Sequence, residues 1–342
     1  MTKKNYTLKE IAQLAEVSRG TVDRVLHKRG RVSEEAQKRV EKILKEIDYK
    51  PNLFAKSLKT HKNYTICALI PEDSEGEYWQ QCAKGVQKAE EELRQFGISI
   101  SYVRYVSTLK EFKTKLTEAI EQIPDAFLIV PIFHEPLKDL YRKAEDLKKP
   151  IALINSEVES LEPVTFLGQA YKKSGKIAAQ LMGYLTPPQQ DKQLLVMHLG
   201  IKSGHASHLT EKEDGFRSYF AAHHPYVTIK TISSTSIEDF VDTDFDLSHI
   251  AGIYVTTSKI HQLEGILKKH PHIQAIGYDL TAKNTTCLKN GTVKMLLNQN
   301  PELQGHQGIT SLSELLLYSK SIPKRNLLRV DIVVAENLDE FS

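Results

Sequence analysis

Short apolar runs alternate with amphipathic helical stretches from residue 64 to residue 278, and this alternation constrains the fold more than any other feature of the chain. Strands are predicted at residues 64–71, 99–105, 126–130, 151–154, 193–199, 227–232, 252–255 and 275–278. Helical spacing of apolar residues fills 78–96 (ended by Gly97), 109–122, 137–147, 172–185 and 212–222 between them. Parallel strands need a crossover longer than a hairpin, and a helix supplies it, so this succession predicts parallel sheets with helices on their faces. The number of strands suits two similar halves, and 342 residues exceed what one small core usually holds. Residues 63–342 are therefore expected to form a two-lobed α/β body, the chain crossing between lobes near 168 and 296.

The segment before this body has a different texture. Net charge over the chain is only +3, yet residues 1–62 hold 16 Lys+Arg against 8 Asp+Glu, leaving 30 against 35 for the rest. A basic head on a mildly acidic body implies that the head meets a polyanion. Thr7 and Glu10 read as a capping box ahead of Leu8, Ile11, Ala12 and Ala15 at helical spacing. After a break at Glu16-Val17, Ser18 is an N-cap for a helix from Arg19 to about Leu26. Val22, Val25 and Leu26 form its buried stripe, and Arg19, Gly20, Asp23 and Arg24 point outward. A third helix begins at Ser33 and buries Val40, Ile43, Leu44 and Ile47. This is an all-α helix-turn-helix head over residues 1–50, joined by a hinge at 51–62, and such a unit lays its second helix in the major groove of DNA.

The run from Tyr6 to Leu58 resembles the head of the lactose-repressor/galactose-repressor family of bacterial regulators. The matching residues are Thr7-Leu8-x-x-Ile11-Ala12, Ala15-x-Val17-Ser18, Thr21-Val22-x-Arg24-Val25-Leu26, Val32-Ser33 and Tyr49-x-Pro51-Asn52-x-x-Ala55-x-x-Leu58. The resemblance implies that Arg19, Gly20 and Arg24 face the bases, where an arginine fork suits guanine O6 and N7. It also puts Thr7, Ser18, Thr21, Asn52 and Ala55 in the DNA-contacting set, with Thr21, Ser33 and Asn52 as caps or phosphate contacts. Gly20 departs from the larger polar residue usual in the family, so one base contact is missing. Asp23, four residues after Arg19, either orients it, accepts from a cytosine amino group, or forms a surface pair with no DNA role. Family members fold the hinge on the operator and wedge a leucine into the minor groove; the positional match is Leu58, whose alternative role is packing on the body.

The body resembles the type I periplasmic sugar-binding fold, which the same family uses to sense effectors, with ligand between the lobes at the carboxyl ends of the strands. Carried over by position, the ligand-binding residues are Tyr78 and Trp79 after the first strand, Asn155 and Ser156 after the fourth, Thr257, Asp279 closing Ala-Ile-Gly-Tyr-Asp, and Gln299 in Asn-Gln-Asn-Pro. A carboxylate and amides answer the hydroxyls of a sugar. Each has a plainer reading: Trp79 as core, Asp279 as a loop cap, Asn155, Ser156 and Thr257 as turn residues. The family's cleft arginine is absent; Lys212 stands in its place, either meeting an acidic ligand group or solvated.

His198, His205 and His208 read as loop histidines rather than metal ligands, since no Cys or carboxylate cluster joins them. Cys67, Cys82 and Cys287 lie too far apart in sequence for a CxxC site. Neither a Walker loop nor a GxSxG elbow nor a catalytic acid pair is present, so no enzyme and no cofactor or metal is expected. No apolar run is long enough to span a bilayer and no signal peptide is legible, which points to the cytoplasm. A solute-capturing uptake receptor would explain the body but not the head. The expectation is a sequence-specific DNA-binding transcription regulator, a repressor. Its homodimer would bind a pseudo-palindromic operator, with an affinity set by a small effector, a sugar or sugar derivative. A homodimer is expected because no apolar heptad extension follows Phe341-Ser342.

Overall fold

The predicted alternation folds into two six-stranded sheets, each covered by helices. The computed structural model describes residues 6, 8–27, 30, 32–46, 62–73, 77–158, 160–187, 193–200, 207–238 and 246–341. It divides into two compact units, Met1–Lys62 and Asn63–Ser342.

In the first unit, α1 (Leu8–Leu14), α2 (Arg19–His27) and α3 (Glu34–Glu46) pack around Ile11, Ala12, Ala15, Val22 and Val40. Val25, Leu26, Ile43 and Leu44 are half-buried against this cluster, and Arg19, Gly20, Asp23 and Arg24 are exposed. The turn between α1 and α2 is made by Glu16, which takes the left-handed conformation (φ 52°). The backbone N–H of Val17 then returns to the Ala12 carbonyl at 3.0 Å. Thr7 and Ile47 lie outside the described residues.

The second unit runs through β1 (Tyr64–Pro71), α4 (Tyr78–Leu93), β2 (Ile98–Tyr105), α5 (Leu109–Glu121), β3 (Ala126–Ile129), α6 (His134–Asp146), β4 (Ile151–Ile154) and β5 (Thr165–Gln169). It continues through α7 (Tyr171–Leu185), β6 (Gln193–Leu199), α8 (Ser207–His223), β7 (Thr228–Ser234), β8 (Ile250–Val255), α9 (Glu264–Lys269), β9 (Gln274–Tyr278), α10 (Ala282–Lys289) and β10 (Met295–Asn298). The remaining elements are α11 (Pro301–Tyr318), β11 (Arg325–Leu328) and β12 (Asp331–Val333). The first lobe's sheet has the order β11-β5-β4-β3-β1-β2 and is parallel throughout. The second has the order β12-β10-β9-β8-β6-β7, with only β12 antiparallel. Every residue of β3 and β4 is buried, as expected for strands covered on both faces.

The chain crosses between the lobes after β5, after β10 and again between β11 and β12. The third crossing was not anticipated. Its strands, Arg-Asn-Leu-Leu and Asp-Ile-Val, are short, partly exposed edge strands without a clear apolar alternation. Strand β5 and helix α11 were also missed in the sequence.

Each lobe is organised about a helix pair that crosses through two glycines. In the first lobe a Cβ on Gly85 of α4 would stand 1.8 Å from the Glu302 carbonyl oxygen of α11, and one on Gly305 would stand 2.2 Å from that of Cys82. In the second lobe, a Cβ on Gly175 of α7 would stand 1.9 Å from the Lys212 oxygen of α8, and one on Gly215 would stand 2.0 Å from that of Lys172. These crossings bring Tyr78 and Gln304 together in one lobe and fix the height of Lys212 in the other.

Candidate DNA-contacting surface and ligand cleft

In the head, Ser18 Oγ accepts from the backbone N–H of Thr21 at 3.1 Å and lies 2.9 Å from Thr21 Oγ1, so Ser18 caps the start of α2 and the Thr21 hydroxyl braces the cap. The exposed first turns of α2 then present Arg19, Gly20, Asp23 and Arg24. A Cβ at Gly20 would meet only Ser18 Oγ, at 3.7 Å, so packing does not demand glycine there. Asn52, Ala55 and Leu58, like Thr7, fall outside the described residues.

In the body, Asn155 and Asp279 occupy equivalent positions, each directly after a central buried strand, β4 or β9. Both adopt left-handed backbones (φ 70° and 69°), a conformation Asn and Asp tolerate better than most residues. Each also donates its backbone N–H across to the neighbouring strand, to Leu167 O at 2.9 Å and Leu297 O at 3.0 Å. Repeating this device in both lobes turns one short polar side chain out of each sheet at its carboxyl edge.

Around Asp279 the second lobe assembles a buried polar set. Gln299 donates through its backbone N–H to Asp279 Oδ1 (3.2 Å) and through Nε2 to Oδ2 (2.7 Å), while Gln299 Oε1 is buried without a partner. Lys212 is 1 % exposed; its ammonium donates to the Thr256 carbonyl at 2.9 Å and sits 3.7 Å above the Tyr278 ring. Burial drives the Lys212 pKa down, with Asp279 opposing. Burial drives that of Asp279 up, with Lys212 and the Gln299 donors opposing. The cap of α10 is Thr281, which accepts from the Asn284 N–H at 3.3 Å, so Asp279 is not the loop cap.

In the first lobe Tyr78 donates to Asn155 Oδ1 at 3.0 Å and accepts from Gln304 Nε2 at 3.2 Å. Tyr171, the first residue of α7, donates to the Asn155 carbonyl. Burial, reinforced by Asp279, keeps both phenols protonated. Trp79 is half-buried against the first lobe's core and stands edge-on to Tyr78 at 4.6 Å. The lobes meet through Ser156 Oγ and His208 Nδ1 (3.0 Å), Glu77 and Lys259 (3.1 Å), and Gln81 Nε2 to the Leu280 carbonyl (3.0 Å). Behind them, Gln169 Nε2 donates to both Asn298 O and Arg329 O at 3.0 Å, tying the three crossing strands together.

Two expectations are corrected. His198 and His208 are not loop residues. His198 lies within β6, with Nδ1 2.6 Å from Thr256 Oγ1 and Nε2 2.8 Å from Glu213, and His208 is in the first turn of α8 beside Ser156. Burial pushes the His208 pKa well below the usual imidazole range, so the ring is neutral. His205 lies outside the described residues. Lys212 is not solvated, because the α7–α8 crossing closes over it. Thr257 spends its hydroxyl on the Leu199 carbonyl at 3.0 Å, as a turn residue does. Sequence reasoning missed Tyr171, Gln169 and Gln304; recognising β5 would have placed the first two at a strand's carboxyl end. Among the described residues no group of three His, Cys, Asp or Glu could hold a metal ion, and no helix is long and apolar enough to cross a membrane.

A basic three-helix unit joined to a two-lobed body with a polar interlobe cleft defines a DNA-binding regulator that responds to a small ligand. Residues 67–320 match the periplasmic binding protein domain, and residues 7–52 match the bacterial regulatory proteins of the lacI family. The chain belongs to the lacI family of regulators, with a periplasmic-binding-protein domain as its body. It is 25% identical over 280 residues to the ribose operon repressor of Lactococcus lactis subsp. lactis (strain IL1403), covering 80% of each chain. A crystal structure described as a LacI transcriptional regulator from Bacteroides fragilis is similar at TM-score 0.74 and 28% identity, covering 82% of this chain and 100% of that one. GanP, a glucose-galactose binding protein from Geobacillus stearothermophilus, shares the fold at TM-score 0.70 and 16% identity, covering 81% of this chain and 99% of that one.

Proposed function

We propose that this protein is a cytoplasmic transcriptional repressor whose homodimer binds a pseudo-palindromic operator under the control of a sugar or sugar derivative in the cleft. Arg19 and Arg24 read base edges, Ser18 and Thr21 fix the start of the recognition helix, and Gly20 leaves one position unread. Asn52 contacts the phosphate backbone, Thr7 and Ala55 belong to the DNA-contacting set, and Leu58 is the minor-groove wedge. In the cleft, Asn155, Ser156, Asp279 and Gln299 exchange hydrogen bonds with ligand hydroxyls, Lys212 closes the floor, and Tyr78 carries the change to Trp79.

The observation supporting this most strongly is the buried amide–carboxylate pair Asp279–Gln299, with Gln299 Oε1 left without a partner at the carboxyl edge of the sheet. A buried acceptor with no donor is costly, and a sugar hydroxyl removes the cost. The relative named for the ribose operon supports the sugar class.

The test uses Trp79, the chain's one tryptophan. Its fluorescence should change saturably in a screen of monosaccharides, disaccharides and acidic sugars. Asp279→Ala should weaken that response by about 1–3 kcal/mol while leaving DNA binding intact. A response that survives Asp279→Ala at an unchanged midpoint contradicts the cleft assignment.

A further inference from the structure

One imidazole stands in the cleft where positional matching placed no ligand residue. His208 lies in the first turn of α8, and its ring is 5.5 Å from that of Tyr171, whose hydroxyl donates to the Asn155 carbonyl. The Lys212 ammonium stands over the same Tyr171 ring at 5.4 Å. His208 therefore belongs to the polar set that contains Asn155 and Lys212, and it bonds across to Ser156 of the other lobe.

The hydrogen bonding of this pair fixes which ring nitrogen carries the proton. Ser156 is buried, and the 3.0 Å contact with His208 Nδ1 is the one hydrogen bond its hydroxyl makes among the described residues. A buried hydroxyl proton needs an acceptor, and Nδ1 is the acceptor at hand, so Ser156 donates and Nδ1 is bare. Burial, with Lys212, His134 and His198 adding to it, holds the His208 pKa down at about 3. The ring is then neutral, and its single proton is on Nε2. Nε2 has no hydrogen-bond partner among the described residues. The ring is half-buried rather than enclosed, which leaves Nε2–H open to an incoming acceptor.

We infer that His208 is a specificity-determining residue of the cleft: its Nε2–H donates to one hydroxyl oxygen of the bound sugar, and Ser156 of the opposite lobe holds that donor in place. The inference rests on the sugar reading of the cleft and goes further than it. Because the proton stays on Nε2 only while Ser156 reaches Nδ1, that sugar hydroxyl is read across the two lobes while they are in contact.

The test uses the full chain and Trp79 fluorescence, with D-ribose, D-glucose, D-galactose and the monodeoxy analogues of each. His208→Phe keeps an aromatic ring beside Tyr171 and removes both nitrogens. It should bind the responding parent sugar about tenfold more weakly, with no further loss for the one analogue that lacks the hydroxyl met by Nε2. In the unsubstituted chain that analogue should itself bind about tenfold more weakly than the parent, so the two losses do not add. Analogues lacking other hydroxyls should keep the penalties they show with the unsubstituted chain. A histidine with a purely structural role would instead lower the affinity for parent and analogues by one common factor. His208→Gln, whose amide also donates, should restore part of the lost discrimination. In ¹⁵N spectra of the histidine-labelled chain, the signal missing from His208→Phe should show a protonated Nε2 and a bare Nδ1, with Nε2 moving as sugar saturates. One common factor across the analogues, an affinity unchanged by His208→Phe, or a proton on Nδ1 overturns the inference and leaves the cleft reading standing. A Trp79 signal that stays flat with all three parent sugars, and with the disaccharides and acidic sugars of the wider screen, counts against the cleft reading itself, and the inference falls with it.

Discussion

Replacing Gly175 with alanine places a methyl group 1.9 Å from the Lys212 carbonyl oxygen and 3.0 Å from the Phe216 nitrogen. Both obstacles are backbone, so no side chain can swing aside, and reaching ordinary contact at 3.4 Å requires α7 and α8 to part by about 1.5 Å. Overpacking of this kind costs about 1–3 kcal/mol and occasionally more; a rigid obstacle puts this site at the upper end. The gain in helix propensity offsets only roughly 0.5–1 kcal/mol, leaving a net loss of about 2 kcal/mol. Gly183, in the same helix, has nothing within 4 Å of its would-be Cβ, so Gly183→Ala should stabilise by roughly 0.5 kcal/mol. Guanidinium unfolding of the full chain, followed by far-UV circular dichroism, gives both midpoints, and the two should move in opposite directions. Because Gly175→Ala pushes on the carbonyl of Lys212 itself, it should also weaken effector binding, while Gly183→Ala should not. A wild-type midpoint for Gly175→Ala, or equal losses at the two sites, would refute the argument that the glycine crossing sets the position of Lys212.

Arg24→Ala should lower operator affinity by about 1–3 kcal/mol and relax preference at one base pair in a randomised-site selection; unchanged preference would mean that another residue reads that base. Gln169→Met removes the two N–H bonds that tie Asn298 and Arg329 to β5, and should cost about 1–3 kcal/mol in unfolding and blunt the effector response even though Gln169 need not touch ligand. Burial holds the Asp279 pKa above the ordinary aspartate range, so the carboxylate that accepts ligand hydroxyls is lost earlier on acidification than usual. Effector affinity should therefore weaken as the pH falls from neutrality toward that range, and Asp279→Asn should bind weakly with that limb of the profile flattened; an identical acid limb in the variant assigns it to another group.

How much of this was legible depended on the length and regularity of each segment. The strands Tyr64–Pro71, Ile151–Ile154 and Gln193–Leu199 were bounded correctly because a largely buried parallel strand reads as a run dominated by apolar residues. Asp279 and Asn155 were visible as the first polar residue after such a run. Thr165–Gln169 was not seen as a strand, since Thr, Gly and Gln occupy three of its five places, and with it went Gln169 and Tyr171. The partners of the cleft residues were beyond reach for a different reason. Ser156 and His208 are 52 positions apart, and Tyr78 and Gln304 are 226 apart, so only the lobe crossings bring them into contact. The burial of Lys212 likewise follows from two glycines whose role is invisible until the helices are packed.

The central claim is that occupancy of the cleft changes the protein's grip on DNA. Genomic fragments retained by the protein supply an operator, and the measurement is its affinity by fluorescence anisotropy, with and without a sugar that perturbs Trp79. The account expects a shift in operator affinity, matched by an equal factor in sugar affinity when operator is present, and an Asp279→Ala protein that holds the operator and responds only at sugar concentrations raised by the factor its sugar affinity has lost. An operator affinity that stays constant at sugar concentrations saturating the Trp79 signal would contradict it.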